Sequence, residues 1–200
     1  LSPVEPGYRP GKPKAILFAY LRALKTYNAV VEYINKEEKD KRISKISLLR
    51  DYIEAYLRGK RVLIRVDFNV SDERGRIRSV KRIVEAIPTL VYLMEKGATV
   101  ILTSHNGRPG GKVRPELSTK PLADTARKLL AEQGRSDIPV VHLEGSITEA
   151  GVAEGVKERI VKGAINVLEN TRFCAGDEKN DSKYAQQLAD LAGENGVFVF

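Results

Sequence analysis

From Arg61 onward the chain alternates short β-branched runs with helical patterns, and this alternation limits the possible folds more than any other feature. Arg61–Phe68, Ala98–Ser104, Pro139–Leu143, Ala164–Glu169 and Gly196–Phe200 read as strands. Between them, apolar residues at helical spacing predict helices near Arg82–Lys96, Pro121–Gln133, Ala150–Val161 and Ser182–Ala192. Strands joined by helical crossovers pair in parallel, so the expected class is α/β, a doubly wound and mostly parallel sheet. Sheets of this kind take their ligands outside the carboxyl ends of the strands. That edge is where chemistry is expected.

Before Gly59 the pattern is different. Leu17, Tyr20, Leu24, Tyr27, Val31 and Ile34 recur at spacings of three and four, and Ile16, Ala23 and Val30 widen the stripe. The charged run Lys36–Arg42 follows, then a second helical pattern with Ile46, Leu49, Ile53 and Tyr56 on one face and Ser44 or Ser47 as its N-cap. The expected organisation is a mainly helical extension, residues 1–58, ahead of an α/β domain, residues 59–200. Two helices bury little alone, so their apolar faces need either the following domain or a partner chain.

Composition narrows the function classes. The 200 residues are enough for one domain with an appendage and too few for two full-sized α/β domains. Hydrophobic residues make up 42% and charged residues 30%, which suits a packed core rather than a disordered chain. The longest apolar run, Ala15–Leu21, is far short of the ~20 residues a spanning helix requires. No basic stub followed by an apolar core precedes it, so a secretory signal is not expected. With one cysteine and two histidines, a disulfide or a cysteine- or histidine-rich metal site is not expected. The lone cysteine points to a reducing compartment, cytoplasmic or an organellar matrix or stroma. The net charge of +8 favours anionic partners, although most of the excess lies before Gly59. There, basic and acidic residues interleave as on a solvated helix face, so nucleic acid is the least favoured partner.

The first strand divides its faces. Val62, Ile64, Val66, Phe68 and Val70 form one apolar row, while Arg65, Asp67 and Asn69 share the other face near the carboxyl end. A strand covered on both sides should be apolar on both, so this pattern marks either a ligand-facing end or a solvated edge strand. The second strand runs into Ser104-His105-Asn106-Gly107-Arg108-Pro109-Gly110-Gly111. The fourth leads into Leu168-Glu169-Asn170-Thr171-Arg172-Phe173, and Arg82 opens the first crossover helix. Arg65, Arg82, Arg108 and Arg172, joined by His105, thus arise at strand ends or in the loops beyond them. Such a bowl suits a small, multiply anionic ligand, because guanidinium forks match carboxylate and phosphate oxygens. His142, on the third strand, reads as a satisfied or rim residue, and Cys174 as packing. Asp177, Glu178, Asp181 and Asp190 read as solvent-facing flanks of the last helix.

Taken in order, these motifs resemble the phosphoglycerate kinase family. Gly59-Lys60-Arg61-Val62-Leu63-Ile64-Arg65-Val66-Asp67-Phe68-Asn69-Val70 is similar to that family's opening signature. Arg82-Ile83, Ile87-Pro88-Thr89-Leu90, Ser104 to Pro109, Leu168 to Phe173 and Asn180-Asp181 continue the match. The resemblance covers about Gly59 to Phe200 and implies the Rossmann-like amino-terminal domain of phosphoglycerate kinase, which binds 3-phosphoglycerate. By the matching positions, Asp67 and Asn69 would hydrogen-bond the substrate, and Arg65, Arg82, His105, Arg108 and Arg172 would form the basic patch around its carboxylate and phosphate. Arg82 would also act catalytically, neutralising the phosphoryl group in flight.

The departures are informative. Asn106 stands where the family usually has leucine and Ser71 where it has proline, both read as tolerable changes near the rim. The sequence stops at Phe200, where the family continues with an Asn-Asp-Ala-Phe segment and a further arginine. No cofactor is expected on this chain, because the resemblance places Mg-ATP or Mg-ADP on a carboxyl-terminal domain that the sequence does not include. Two function classes follow. One is the substrate half of a phosphoglycerate kinase, an enzyme if the native chain continues past residue 200. The other is a non-catalytic accessory subunit of a larger, possibly organellar, assembly, docking through residues 14–58.

Overall fold

The computed structural model describes residues 56–72 and 74–199. The expected helical stripe Leu17–Ile34 and the docking role of residues 14–58 lie outside the described residues, except for the last positions of the second helical pattern. The description opens with Tyr56 and Leu57 in helical conformation.

Five strands form one sheet: β1 (Arg61–Arg65), β2 (Thr99–Thr103), β3 (Val140–Leu143), β6 (Ile165–Leu168) and β7 (Val197–Val199). Their order is β3-β6-β2-β1-β7, and every pairing is parallel. A separate two-stranded antiparallel unit joins β4 (Ile147–Thr148) to β5 (Gly151–Val152). The helices are α1 (Lys81–Glu95), α2 (Lys120–Glu132), α3 (Val156–Arg159), α4 (Gly176–Lys179) and α5 (Ser182–Ala192).

Alternation along the strands divides two cores. Val62 and Ile64 of β1, Val100 and Leu102 of β2, and Ile165 and Val167 of β6 share one face. α1 covers it with Ile83, Ile87, Leu90 and Leu93, and α2 with Leu122, Ala123, Ala126 and Leu130, each set at helical spacing. Leu63, Ile101, Leu143 and Leu168 point the other way, against Phe173, Tyr184, Leu191 and Val156. Burying each such leucine or isoleucine contributes about 1.5–3 kcal/mol, so the two apolar layers are the main driving force for the sheet. The doubly wound reading therefore holds. Pro88 is accommodated inside α1 because it lies on the exposed side of the helix.

Two expectations change. Ala150–Val161 is not one helix, because Gly151 holds a φ of +118 within the β4–β5 unit and only Val156–Arg159 is helical. A glycine in that region of φ ends helical backbone, and apolar spacing alone did not show it. The first strand also ends earlier than its pattern suggested. β1 stops at Arg65, and Val66 N donates a last bond to Thr103 O at 3.0 Å. The chain then turns, yet Phe68 and Val70 remain buried in the α1-side core. β1 lies between β2 and β7, so its polar carboxyl end is not a solvated edge strand.

Candidate functional site

Register brings the site together. Arg65 pairs with Thr103 across β1 and β2, and Leu143 pairs with Leu168 across β3 and β6, so these strands end at one edge. Beyond that edge, Phe68 N donates to Ser104 Oγ at 2.9 Å and Asn69 N to Asp67 Oδ1 at 3.1 Å. Asn69 Oδ1 accepts from Gly107 N at 2.9 Å, which ties the loop after β1 to the loop after β2. Gly111 N donates to Arg172 O at 3.2 Å, and its φ is +77. A Cβ at Gly111 would stand 2.7 Å from the Ala175 Cβ, so glycine permits the loop after β2 to lie against the segment after β6.

A buried polar hub supports the loop that carries Arg172. Glu169 Oε1 accepts from Thr119 N at 2.8 Å and Asn170 N at 3.0 Å, while Oε2 accepts from Ser118 Oγ at 3.0 Å. Thr119 Oγ1 donates to Leu168 O at 2.7 Å, leaving a lone pair for His142 Nε2 at 3.1 Å. Burial pushes the Glu169 carboxyl up, but the neighbouring His142, 3.6 Å away, and the bonds from Thr119 and Asn170 outweigh this and hold it below its ordinary value. Asn170 Nδ2 donates to Asn106 O at 2.6 Å and Leu117 O at 2.9 Å, and its Oδ1 accepts from Arg172 N at 3.1 Å. His142 is thus satisfied in the interior, as the sequence suggested. Cys174 is buried in the apolar core, with its sulfur accepting from Gly176 N at 3.3 Å. Asn106 corrects an expectation: it is fully buried rather than at the rim. Its Nδ2 donates to Ser118 O at 3.2 Å, while its Oδ1 has no partner among the described residues.

On this frame the structure gathers most of the candidate ligand-binding groups. Arg82, on the first turn of α1, donates from Nη1 to Asp67 Oδ2 at 2.7 Å and to Asn69 O at 3.3 Å. Both members of the Arg82–Asp67 pair are about half exposed, so the contact contributes only about 0–1 kcal/mol and is easily exchanged. Arg65 forks onto Asp177, Nη1 to Oδ1 at 2.8 Å and Nη2 to Oδ2 at 3.3 Å. Arg172 Nη1 donates to Gly107 O at 3.3 Å, and its Nε stands 3.3 Å from Glu178 Oε1 and 3.8 Å from Asp177 Oδ2. That Nε is buried and not aligned on either acceptor. Arg108 follows Gly107, is exposed, and has no ion pair among the described residues.

His105 sits within electrostatic reach of Arg172, Asp67, Arg65 and Asp177. Burial lowers its pKa below the ordinary 6.5; Arg172 and Arg65 lower it further, while Asp67 and Asp177 oppose. At neutral pH the ring is therefore neutral, a hydrogen-bonding group among fixed positive charges.

Sequence reasoning missed Asp177. By its sequence it reads as solvent-facing with Glu178, Asp181 and Asp190, yet its side chain is only 6% exposed and lies between two site arginines. Its signal was electrostatic: arginines crowded at one edge require a counter-charge nearby. Glu178 and Asp190 are exposed as expected. Asp181, also exposed, has a structural task, its side chain accepting from Tyr184 N at 2.8 Å to cap α5.

The fold and site define an open parallel α/β domain whose candidate site lies at the carboxyl edge, on the segments that follow β1, β2 and β6. Comparison with known proteins agrees. The family model for phosphoglycerate kinase matches residues 52–199, and the chain belongs to that family. It is 43% identical over 136 residues to a phosphoglycerate kinase of Fervidobacterium nodosum, covering 68% of this chain and 32% of that protein. A phosphoglycerate kinase of Moorella thermoacetica is 46% identical over 136 residues, covering 68% and 33%. The solved phosphoglycerate kinase of Coxiella burnetii superposes with a TM-score of 0.53 at 34% identity, covering 68% of this chain and 32% of that one. The chain thus spans about a third of the length of these relatives. Among the described residues, no helix is long and apolar enough to cross a membrane.

Proposed function

We propose that residues 59–200 form the 3-phosphoglycerate-binding domain of a phosphoglycerate kinase, with Arg65, Asp67, Asn69, Arg82, His105, Arg108 and Arg172 as its binding residues. The observation that carries this reading is the convergence of arginines on the carboxyl edge of a parallel sheet in a member of that family. The ligand has one carboxylate and one phosphate, and guanidinium forks are matched to both. The exposed Arg82–Asp67 contact is the one a ligand exchanges most cheaply, so Arg82 is free to turn onto the anion.

In the complete reaction, a carboxylate oxygen of 3-phosphoglycerate attacks the γ-phosphorus of ATP, the bond to the bridging oxygen breaks, and ADP leaves. Such transfers require positioning and charge stabilisation more than covalent chemistry. Arg82 supplies positive charge at the helix terminus nearest Asp67 and Asn69, where the carboxylate would lie. Mg-ATP or Mg-ADP would be held by a nucleotide domain outside this sequence, so the chain supplies the acceptor half of the reaction. Domain closure would bring the two halves together.

Calorimetry of the chain with 3-phosphoglycerate at low salt tests the reading. Binding is expected, weakened about tenfold or more by Arg82→Ala and by Arg172→Ala, and falling as salt rises. No heat at low salt with a folded protein would overturn it.

A further inference from the structure

We propose that Asp177 is a positioning residue whose enclosed carboxylate fixes the Arg65 guanidinium by a two-point contact and sets a counter-charge beside Arg172, so that the open side of Arg65 meets the anion. The inference rests on the phosphoglycerate-binding reading above for the identity of that anion, while the clamp itself rests on geometry.

Burial is asymmetric across the contact. The Asp177 side chain is 6% exposed, that of Arg65 39% and that of Arg172 23%. The carboxylate is therefore beneath the arginines, shielded from solvent, and a ligand arriving from solvent meets the guanidinium groups first. This distinguishes Asp177 from Asp67, whose half-exposed contact with Arg82 is open to exchange. An incoming anion replaces Asp67 far more readily than Asp177, whose carboxylate is largely shielded from solvent.

The carboxylate is itself held firmly. Asp177 N donates to Cys174 O at 3.2 Å, and Asp181 N closes the turn onto Gly176 O at 3.0 Å. Tyr184, capped by Asp181, donates its hydroxyl to Thr171 O at 3.1 Å beneath the same turn. α4 is thus anchored both to the segment carrying Arg172 and to α5. Burial works against the Arg65 charge, but the fork onto Asp177 outweighs it and raises the pKa, so the charge is secure.

The arginines retain capacity for a ligand. A guanidinium has five N–H donors, and Arg65 directs only its two Nη groups at Asp177. Arg172 spends Nη1 on Gly107 O, and its Nη2 makes no hydrogen bond among the described residues. An unanchored arginine carries rotamer entropy, part of which binding would have to remove. Asp177 removes it in advance, which favours affinity by pre-organisation.

The test uses the full 200-residue chain and the variants Asp177→Asn and Asp177→Glu. In wild-type protein, side-chain NMR should show slow rotation of the Arg65 guanidinium, as a two-point carboxylate contact requires, with or without ligand. Asp177→Asn should release that rotation and weaken 3-phosphoglycerate binding about tenfold or more. It should also move the His105 ring titration further below its wild-type midpoint, because one of the two opposing carboxylates, Asp177, is lost while Asp67, Arg65 and Arg172 remain. Asp177→Glu, which keeps the charge, should recover most of the affinity. Free rotation of Arg65 in wild type would overturn the clamp, as would wild-type affinity in Asp177→Asn. Equal losses in the two variants, with the fold unchanged, would assign the effect to packing and also overturn it. If wild type binds no 3-phosphoglycerate, the functional reading fails, and the NMR arm still decides the clamp.

Discussion

At the residue scale, the site combines charges that are permanent with one that is conditional. A guanidinium group as a class is always charged, whereas His105 is held neutral by burial and by Arg172. Its folded pKa lies below the unfolded value, so the folded state takes up this proton less readily than the unfolded one. The stability it contributes is complete above pH 6.5 and declines as pH falls from there toward the folded pKa. A bound anion reverses part of that penalty by stabilising the imidazolium. The ratio of 3-phosphoglycerate affinities, wild type over His105→Asn, should therefore rise as pH drops from about 7 to about 5.5. Taking the ratio cancels the ligand's own phosphate titration. A flat ratio in calorimetry would remove His105 from the anion's surroundings.

The element scale concerns how loops are held at one height. Glu169, at the exit of β6, joins the loop before α2 to β3 and β6 through Thr119, Ser118 and His142. Its carboxyl pKa is depressed, so its stabilisation is present above the unfolded value of 4.5 and is lost as pH falls through the folded pKa. Glu169→Gln should cost about 1–3 kcal/mol at neutral pH. That difference should shrink in urea melts taken progressively below pH 4.5, and a constant difference would mean the charge is not what matters. Asp181 acts at the other side of the site. Removing its cap with Asp181→Ala should cost about 1 kcal/mol by thermal denaturation, and it should loosen the turn beneath Asp177.

At the scale of the whole described molecule, residues 56–72 and 74–199, two apolar layers bracket one parallel sheet, and the candidate site lies at the carboxyl ends of its strands. Leu102, fully buried between β2 and the two covering helices, should behave as a core residue. Leu102→Ala should lower unfolding free energy by about 2–5 kcal/mol in denaturant melts, with the slope unchanged. A loss well below 1 kcal/mol would mean that this layer repacks freely. The described sheet lies within the part of each relative that this chain matches, about a third of its length.

Much of this was legible in the residues alone. Alternating strand and helix periods determined the doubly wound class, because each period places its apolar residues on faces that only such layers can bury. Ordered motifs placed Arg65, Asp67, Asn69, His105, Arg108 and Arg172 at strand ends or in the loops beyond them, and Arg82 at the start of the first crossover helix. The ending of β1 at Arg65, the break at Gly151, the burial of Asn106 and the place of Asp177 were decided only by tertiary structure. None of these is a local property. A strand ends where its partners end, and a carboxylate three residues past Cys174 becomes a clamp only when β1 delivers Arg65 from 112 positions away. Local chemistry chose the arginines, and long-range packing chose the acid that holds them.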